Sequence, residues 1–307
     1  MRVTLIHNPG AGKQASDADD LKKLLESAGH KVRYQSSKEA GWKKALKKPA
    51  DLVVVAGGDG TVGRVVRRMP GREVPVALLP SGTANNIARS LGQHERPFEE
   101  LVRGWENARQ VRLDVGVARG PWGERYFIEG VGAGVFADLL AHSDPKKAKK
   151  RKKARNPVEG GLRRLRQQAA RARPVQICAA LDGEDISGEY LLFEALNLRY
   201  IGPNLFLTAN SNPGDGRFEL VMVSEAERSR LLYYLEHWQD DRERLAILPS
   251  KTGSRLEIEW TGFPLHIDDK LQPKVKVRPK RMAGMVDASF EGVSVRFLVP
   301  DTERKLG

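Results

Sequence analysis

The stretch Ala56-Gly57-Gly58-Asp59-Gly60-Thr61 follows the apolar, β-branched run Asp51–Val55 and precedes a helical pattern that begins at Val62. Three glycines in four positions leave the main chain bare where a buried strand ends and a helix begins. Bare N–H groups there attract phosphate oxygens, because the first four donors of a helix lack intrahelical partners and the helix dipole is positive at that end. The stretch fits neither Gly-x-Gly-x-x-Gly nor the P-loop pattern. A tight turn that merely requires glycine is the alternative interpretation.

Two more predicted strands end in loops of the same kind. Val3–Ile6 leads into His7-Asn8-Pro9-Gly10-Ala11-Gly12-Lys13, and Val74–Leu79 leads into Pro80-Ser81-Gly82-Thr83-Ala84-Asn85-Asn86. In the second loop, Ser81 or Thr83 can cap the following helix. Loops at the carboxyl ends of parallel strands gather at one edge of the sheet, where ligands bind. The three loops together therefore predict a phosphate-binding edge.

The chain changes character near residue 110. Before it, strands and helices alternate, which predicts an α/β, Rossmann-like parallel-sheet nucleotide domain over 1–120. After it, strands dominate and several alternate apolar with polar residues, which predicts a mostly antiparallel, β-sandwich-like domain over 121–297. Helices are predicted near 16–29, 39–47, 61–69, 84–92, 97–106 and 225–244. Strands after residue 110 are predicted at 111–118, 125–131, 175–181, 189–198, 205–209, 218–224, 255–260, 264–267, 274–277 and 293–299.

Positive charge is concentrated in one segment. The 307 residues carry a net charge of +13, and residues 144–174 hold 13 Lys or Arg against 2 acids, a local net charge of +11. The sequence predicts a mobile loop over 146–155 and a basic helix over 161–173. Contact of 146–173 with an anionic membrane surface is one interpretation, and a solvated charge run is the other. Nucleic acid is the less favoured partner, because no aromatic residues interleave for base stacking.

Several classes of protein are disfavoured by composition. No apolar run approaches the ~20 residues that span a bilayer, and the sequence starts directly with a strand pattern, so we expect no signal peptide. The single Cys178 excludes an internal disulfide, fits a reducing cytoplasmic compartment and is predicted to be a small core residue. The six histidines show no ligand spacing, which disfavours a zinc site.

The three glycine loops, in this order, resemble the catalytic domain of the diacylglycerol kinase-like lipid kinases, a family that includes sphingosine kinases and bacterial lipid kinases. Leu113-Asp114-Val-Gly116 is similar to the family's Asp-x-Gly segment, and Asn210–Val221 is similar to its Asp-Gly block. Gly-Gly-Asp-Gly-Thr also occurs in NAD kinases. The Ser-Gly-Thr-Ala-Asn loop and the later Asp-Gly block favour the lipid-kinase branch.

The resemblance implies an ATP-dependent, Mg²⁺-dependent kinase that phosphorylates the hydroxyl of a diacylglycerol-like or sphingoid lipid at a membrane surface. It also implies that the C-terminal strand, with the tail 298–307, packs on the first domain. The residues expected to bind the nucleotide are Asn8, Gly57, Gly58, Asp59, Gly60, Thr61, Val62, Gly63, Gly82, Thr83 and Asn85. The residues expected around Mg²⁺ are Asn212, Asp215 and Arg217, with Asp114 for a catalytic ion.

Two positions depart from the family pattern. Asn86 stands where the family has Asp, and Lys270 stands where it has the Glu that accepts the proton. A lysine is normally protonated at neutral pH and cannot take that role. Asp268 or Asp269 is therefore the expected catalytic base, with Glu129 and Glu194 as alternatives, while His266 nearby is expected to be structural. A catalytically impaired regulator of the same fold and a NAD kinase-like enzyme remain open alternatives.

Overall fold

The computed structural model describes residues 1–12, 17–69, 71–142, 156–237, 248–273 and 283–301. The chain divides into two compact units. The first unit is Met1–Leu113 with Ser294–Gly307, and the second is Asp114–Val293. The predicted loop 146–155 and the predicted strand 274–277 lie outside the described residues.

The first unit alternates strands and helices along the chain. Its elements are β1 (Arg2–His7), α1 (Ala18–Ser27), β2 (Lys31–Ser36), α2 (Trp42–Ala45), β3 (Leu52–Gly57), α3 (Asp59–Val66), β4 (Val76–Pro80), α4 (Asn86–Ser90), α5 (Phe98–Arg103) and a 3-10 turn, Gly104–Asn107. β2, β1, β3 and β4 pair in that order and are all parallel. Phe297 of the last strand pairs in parallel with Val76 of β4. The unit is thus a parallel sheet with helical crossovers.

The core of the first unit explains its strand sequences. All six residues of β3 are buried, because helices cover both faces of a parallel sheet, and such strands are continuously apolar. Leu21 and Leu25 of α1 pack against this sheet, and so do Leu101 and Trp105. The predicted helix at 39–47 is reduced to the single turn Trp42–Ala45, which begins at Gly41 in a left-handed conformation.

The second unit is mostly antiparallel. Its elements are β5 (Arg109–Gly120, which begins in the first unit), β6 (Gly123–Phe127), β7 (Gly130–Gly134), α6 (Val135–Ala141), α7 (Pro157–Arg171), β8 (Val175–Leu181), β9 (Glu184–Asp185), β10 (Gly188–Leu196), β11 (Tyr200–Ile201), β12 (Leu205–Phe206), β13 (Phe218–Ser224), a 3-10 turn (Glu225–Glu227), α8 (Arg228–His237), β14 (Ser250–Gly253), β15 (Arg255–Trp260), β16 (Leu265–Ile267), β17 (Lys270–Gln272) and β18 (Gly284–Val299). The main sheet runs β17-β16-β7-β10-β8-β15-β18. The predicted fold class, a parallel α/β domain followed by a mostly antiparallel domain, is confirmed.

The second unit has two apolar cores. One contains side chains of α6, α7 and α8 packed on β10 and β13, and the other lies among strands and contains the buried Phe127, Phe193 and Trp260. An arginine of each of the helices α7 and α8 also donates hydrogen bonds to main-chain carbonyls at the C-terminal end of the other helix. Arg166 Nε and Nη2 donate to the carbonyls of Leu235 and Glu236, at 2.6 and 2.9 Å, while Arg228 Nη2 donates to Ala172 O at 2.7 Å. The carbonyls at these helix ends therefore have partners.

Three predictions in this unit need correction. The predicted strand 125–131 is two strands, because residues 128–130 turn around a buried carboxylate described below. The predicted helix 225–244 is a 3-10 turn, Glu225–Glu227, followed by α8, and residues 238–244 are not described. Cys178 is exposed rather than a core residue, because β8 alternates and position 178 lies on its outer face between Ile177 and Ala179.

Candidate active site

The three glycine loops of the first unit touch main chain to main chain. A Cβ built on Gly58 would lie 2.8 Å from Gly82 Cα, and one built on Gly12 would collide with the carbonyl of Ser81. The Ser81 N–H donates to Gly57 O at 3.2 Å. The sequence has glycine at these positions because the loops approach more closely than any side chain allows. The carboxyl ends of β1, β3 and β4 thus form one continuous polar surface.

Asp59 joins two of these loops. Its Oδ1 accepts a hydrogen bond from the N–H of Ile87 at 3.0 Å, at the start of α4. Burial raises the pKa of Asp59, while the backbone N–H groups of Ile87, Asn86 and Asn85 oppose that rise. The prediction that Ser81 or Thr83 caps α4 is wrong. The N-cap is Asn85 in a left-handed conformation without a side-chain cap, and the carboxylate that serves the helix comes from the neighbouring loop.

Two asparagines fix the shape of this surface. Asn8 Nδ2 donates to Thr61 Oγ1 at 3.1 Å, so the first loop is tied to the start of α3. Asn85 closes the third loop on itself, since its Oδ1 accepts from Gly82 N–H at 2.9 Å and its Nδ2 donates to Gly82 O at 3.1 Å. Thr83, which lies between Gly82 and Asn85 in the third loop, is exposed. These hydrogen bonds therefore hold the first and third loops in shape.

The glycines of the Gly-Gly-Asp-Gly stretch differ in what requires them. A Cβ on Gly57 would lie 2.8 Å from Thr61 Cβ, and one on Gly58 would meet Gly82, so both have a packing reason. A Cβ on Gly60 would meet nothing within 4 Å, and Gly60 is exposed without a positive φ. No contact in the described structure requires glycine at position 60. Its bare main chain lies at the second residue of α3, where the N–H groups of a helix are unpaired.

Val62 and Gly63 lie on the inner side of α3. Both are buried, and the N–H of Val62 donates to Gly58 O at 3.1 Å. Their nucleotide-binding role stays a prediction, and the contacts shown are those of residues that support the helix. Asn86, the first departure from the family pattern, is buried at the start of α4.

In the second unit, the loop 212–217 curls around Asp114. The Asp114 N–H donates to Pro213 O at 2.6 Å, and its Oδ2 accepts from Gly216 N–H at 2.7 Å. Asp215 is exposed, and its Oδ1 accepts from Arg217 N–H at 2.9 Å. Because the Arg217 guanidinium is cationic, only its main-chain carbonyl could face a metal ion.

The chemistry of this loop fits a hard cation. Asp114 and Asp215 offer carboxylate oxygens and the loop offers carbonyls, which is the ligand type that Mg²⁺ prefers. The buried side chain of Asn197 donates through Nδ2 to Asp114 O at 2.9 Å and to Ile128 O at 2.8 Å, while its Oδ1 has no hydrogen-bond partner. Within the described ranges, no group of three or more His, Cys, Asp or Glu side chains is placed to hold a metal.

The turn that carries Asp268, Asp269 and Lys270 joins β16 to β17. Asp268 is buried at a φ of 50°, and its Oδ1 accepts from the N–H groups of Ile128, Glu129 and Gly130 at 3.0, 2.8 and 3.2 Å. Asp269 is exposed and lies 3.4 Å from Lys270 Nζ. The Asp268 carboxylate is therefore already occupied as a loop brace, whereas the Asp269 carboxylate is accessible.

A buried ion pair lies directly behind this turn. His266 Nε2 is 2.9 and 3.0 Å from the two oxygens of Glu194, and both side chains are fully buried. Burial raises the pKa of Glu194, against the opposing charge of His266. Burial alone would lower the pKa of His266, but the Glu194 carboxylate and the Asp268 carbonyl outweigh it and raise that pKa. Glu194 was a candidate base by sequence; its contact with His266 could not be read from the sequence.

Helix α7 presents basic side chains to solvent. It begins after Asn156, whose Oδ1 accepts from Glu159 N–H at 3.2 Å, and Leu162, Leu165 and Ala169 face the core. Arg163 and Arg171 are exposed on the other side. A basic helix was predicted at 161–173, and the structure places it at Pro157–Arg171. Among the residues that the structure describes, no helix is both long enough and apolar enough to cross a membrane.

Residues 2–118 match the family model of the diacylglycerol kinase catalytic domain. A diacylglycerol kinase of Bacillus subtilis (strain 168) is 27% identical over 244 residues, which cover 75% of this chain and 76% of that protein. A diacylglycerol kinase of Mycobacterium tuberculosis (strain CDC 1551 / Oshkosh) is 28% identical over 253 residues, with 75% and 76% covered.

Solved structures agree on the fold. A crystal structure of a diacylglycerol kinase from Bacillus anthracis str. Sterne aligns with a TM-score of 0.70 at 19% identity, over 97% of this chain and 96% of that one. Yeast NADH kinase complexed with NADH aligns with a TM-score of 0.52 at 9% identity, over 99% and 84% of the two chains. At these identities the likeness concerns the fold alone.

The chain is therefore similar to lipid kinases in its catalytic-domain sequence and in its fold. The resemblance to the diacylglycerol kinase family that was predicted from the sequence is confirmed, since the family model matches residues 2–118 and the relatives carry that name.

Proposed function

We propose that this protein is an ATP-dependent lipid kinase that transfers phosphate to the hydroxyl of a diacylglycerol-like or sphingoid lipid at an anionic membrane surface. The first unit would hold the nucleotide, and the second unit would supply the groups that act on the acceptor hydroxyl. The relatives named diacylglycerol kinase support this substrate class. The glycine loops support the use of a triphosphate, since phosphoryl transfer depends mainly on positioning and on charge neutralisation.

One observation carries the proposal: the bare main chain of Gly60. The other glycines of the stretch are needed for packing, but Gly60 has open space where a side chain would be. A main chain without a side chain lets phosphate oxygens approach the N–H groups at the start of α3. The Asn8 to Thr61 contact and the exposed hydroxyl of Thr83 border the same loops and would complete the phosphate site.

Mg²⁺ would be held by oxygen atoms of the second unit. Asp114, Asp215 and the carbonyl groups of Asn212 and Arg217 are the proposed donors. When bound, the ion would offset the negative charge of the Asp114 and Asp215 carboxylates and stabilise the loop. The chain itself already bends this loop around Asp114 through Pro213 O and the Gly216 N–H.

We assign to Asp269 the role of the base that accepts the proton of the lipid hydroxyl. Asp268 was an equal candidate by sequence, but its carboxylate accepts three main-chain hydrogen bonds and braces residues 128–130. Asp269 is exposed on the same turn, and a carboxylate can take the proton of an alcohol as its phosphorylation proceeds. Lys270 Nζ lies 3.4 Å from Asp269 Oδ1 on this turn.

Membrane contact is assigned to α7 and the basic segment before it. Exposed arginines on α7 would attract anionic lipid headgroups, each contributing roughly 1 kcal/mol close to the surface. The residues 146–155 would add to this attraction through their charge. This assignment gives a protein without a described membrane-spanning helix access to a lipid substrate.

The test is transfer of label from γ-labelled ATP to a panel of lipids in vesicles with and without anionic lipid. The informative variant is Gly60→Ala, and the matched control is Gly160→Ala, since both replace glycine within a helix. We expect Gly60→Ala to raise the ATP KM about tenfold or more, because its methyl group occupies the phosphate approach. Gly160→Ala should leave the KM unchanged. Absence of transfer to any lipid, with nucleotide binding intact, would overturn the assignment.

A catalytically impaired regulator is the second candidate, and Lys270 is the observation that favours it. If Lys270 blocks proton transfer, Asn86→Asp combined with Lys270→Glu should create activity in a protein that otherwise only binds nucleotide and lipid. Turnover by the unaltered protein rejects this candidate. The same assay with NAD as acceptor distinguishes a NAD kinase-like enzyme.

A further inference from the structure

We propose that Glu194 and His266 are positioning residues that fix the Asp268–Lys270 turn, and through it the acceptor-side carboxylate. The inference rests on the proposed function for its kinetic consequence. The structural part of the inference, that the pair fixes the conformation of this turn, depends only on contacts within the second unit.

The pair is built across three neighbouring strands. Glu194 of β10 is in register with Gly132 of β7, and Gly132 is in register with His266 of β16. A Cβ built on Gly132 would collide with the Glu194 carboxylate. The absence of a side chain on the middle strand therefore lets the Glu194 side chain cross it and reach His266 two strands away. Glycine at position 132 is required by this contact, since its φ is not in the left-handed region.

The other nitrogen of the imidazole holds the turn. His266 Nδ1 lies 2.7 Å from the carbonyl oxygen of Asp268. A carbonyl oxygen can only accept, so Nδ1 must carry a proton and donate it. Nε2 then either donates to an ionised Glu194 or accepts from a protonated Glu194. In both states the pair holds one shared proton and is neutral overall, which is the condition for leaving it buried.

The turn passes this constraint on to residues 128–130. The Asp268 N–H donates to Gly130 O at 2.8 Å, and its carboxylate accepts the N–H groups of Ile128, Glu129 and Gly130. Asp268 can serve both partners because it adopts a left-handed conformation, with a φ of 50°. The chain of contacts thus runs from Glu194 through His266 to the turn, and it ends beside Asp269.

Burying the Glu194 carboxylate and the His266 imidazole costs desolvation free energy. An apolar pair of similar volume would fill the same space at a lower cost in free energy, so packing alone does not explain the pair. What an apolar pair cannot do is donate to the Asp268 carbonyl. The apolar ring of Phe136 lies beside the imidazole, with the two ring centroids 6.5 Å apart. The geometry therefore assigns the pair a directional role at one carbonyl.

The experiment compares Glu194→Leu with Glu194→Gln by amide hydrogen exchange of the full chain. Leucine leaves His266 Nε2 without a partner, whereas glutamine can donate to the neutral ring and keep Nδ1 on the Asp268 carbonyl. We expect amides 128–130 and 268–270 to exchange about tenfold or more faster in Glu194→Leu, with strand β15 unchanged. Glu194→Gln should exchange like the unaltered protein.

Gly132→Ala gives an independent route to the same state. Its methyl group displaces the Glu194 carboxylate while every polar side chain stays present. It should therefore show the same local acceleration as Glu194→Leu, and it decides the question if Glu194→Leu fails to fold. Exchange that is unchanged at 128–130, or accelerated equally across the second unit, would overturn the positioning role.

The kinetic arm separates this inference from the proposed function. In the lipid assay, Glu194→Leu should lower kcat roughly tenfold or more, because a misplaced turn misaligns the acceptor, while the KM for ATP stays unchanged. A rise in the ATP KM with unchanged kcat would contradict it. If the unaltered protein transfers no phosphate, the kinase assignment fails, and the exchange measurement still decides whether the pair holds the turn.

Discussion

The glycine loops of the first unit, where we propose that phosphate binds, and the Asp268 turn of the second unit are assembled in opposite ways. In the first unit, glycines bring the loops together, and Gly60 leaves open space beside the start of α3. In the second unit, the protein's own Asp268 carboxylate already occupies three N–H groups. The comparison teaches that the Asp268 turn is held by the protein's own carboxylate, whereas the glycine loops, on the proposed function, receive an anion from a ligand.

The largest effect should come from removing the internal anion. Asp268→Ala leaves three buried N–H groups without a partner and puts alanine at a positive φ, so we expect the free energy of unfolding to fall by about 3 kcal/mol. Urea unfolding of the full chain measures it. Asp268→Asn is the matched control, because asparagine keeps an acceptor oxygen and tolerates the left-handed conformation. Two variants that unfold like the original protein but transfer no phosphate would instead identify Asp268 as the base.

The contrast also explains what the sequence could predict. The glycine loops follow apolar strands directly, so strand, loop and helix are visible within a dozen residues. The bracing of 128–130 was missed because Asp268 lies 140 residues from Ile128. The capping of α4 by Asp59 was missed for the same reason, since Ser81 and Thr83 are local candidates and Asp59 is not. Residue distance along the chain, rather than chemistry, separates the predicted contacts from the missed ones.

Side-chain identity also concealed one pattern. β8 alternates between buried and outer positions, but Cys178 and Ala180 on its outer side are small and apolar. An apolar run of this kind predicts that a strand forms, but it does not show which side chains face the core. Alternation is visible only when the outer residues are polar. The strand bounds 175–181 were predicted as observed, while the burial of Cys178 was not.

A second prediction tests the close approach of the loops in the first unit. A Cβ on Gly82 would collide with Gly58 Cα, and it would lie 2.6 Å from Asn85 Oδ1. Because Gly58 Cα is main chain and the Asn85 amide is held by two hydrogen bonds to Gly82, we expect Gly82→Ala to cost about 2 kcal/mol of unfolding free energy and to abolish nucleotide binding. Thermal unfolding and nucleotide titration measure the two effects. Gly60→Ala is the control for the unfolding measurement alone, and it should raise stability by roughly 0.5 kcal/mol because alanine favours a helix. Equal destabilisation by both variants would contradict the distinction drawn between these glycines.

A third prediction concerns pH and the buried pair of the second unit. The pKa of His266 is raised in the folded protein, so its contribution to stability is present below the unfolded pKa of about 6.5 and is lost as pH rises through the folded pKa. We expect the free energy of unfolding to fall above pH ~6.5 with a slope of up to about 1.4 kcal/mol per pH unit from this pair. Urea unfolding between pH 5 and pH 9, as a difference from His266→Gln, isolates it.

Glu194→Gln gives that measurement a control with the opposite sign. Without the Glu194 charge, burial lowers the pKa of His266, so stability should fall as pH drops below ~6.5 rather than as pH rises. The same slope in both proteins would show that the pair does not hold a shared proton.

The smallest effects on stability and on membrane binding are expected for two arginines of α7, at the surface of the second unit, which make different contacts. Arg166 donates to the carbonyls of Leu235 and Glu236, so Arg166→Gln should cost about 1 kcal/mol of stability. Arg163 is exposed, and Arg163→Gln should leave stability unchanged while it weakens binding to anionic vesicles by roughly 1 kcal/mol, about fivefold. Vesicle sedimentation at two salt concentrations measures the second effect, which must shrink as salt rises because the attraction is screened. Vesicle binding that is equally weak in both variants and independent of salt would show that α7 does not contact the membrane. The proposals for the glycine loops of the first unit and for the Asp268 turn of the second unit do not depend on this result.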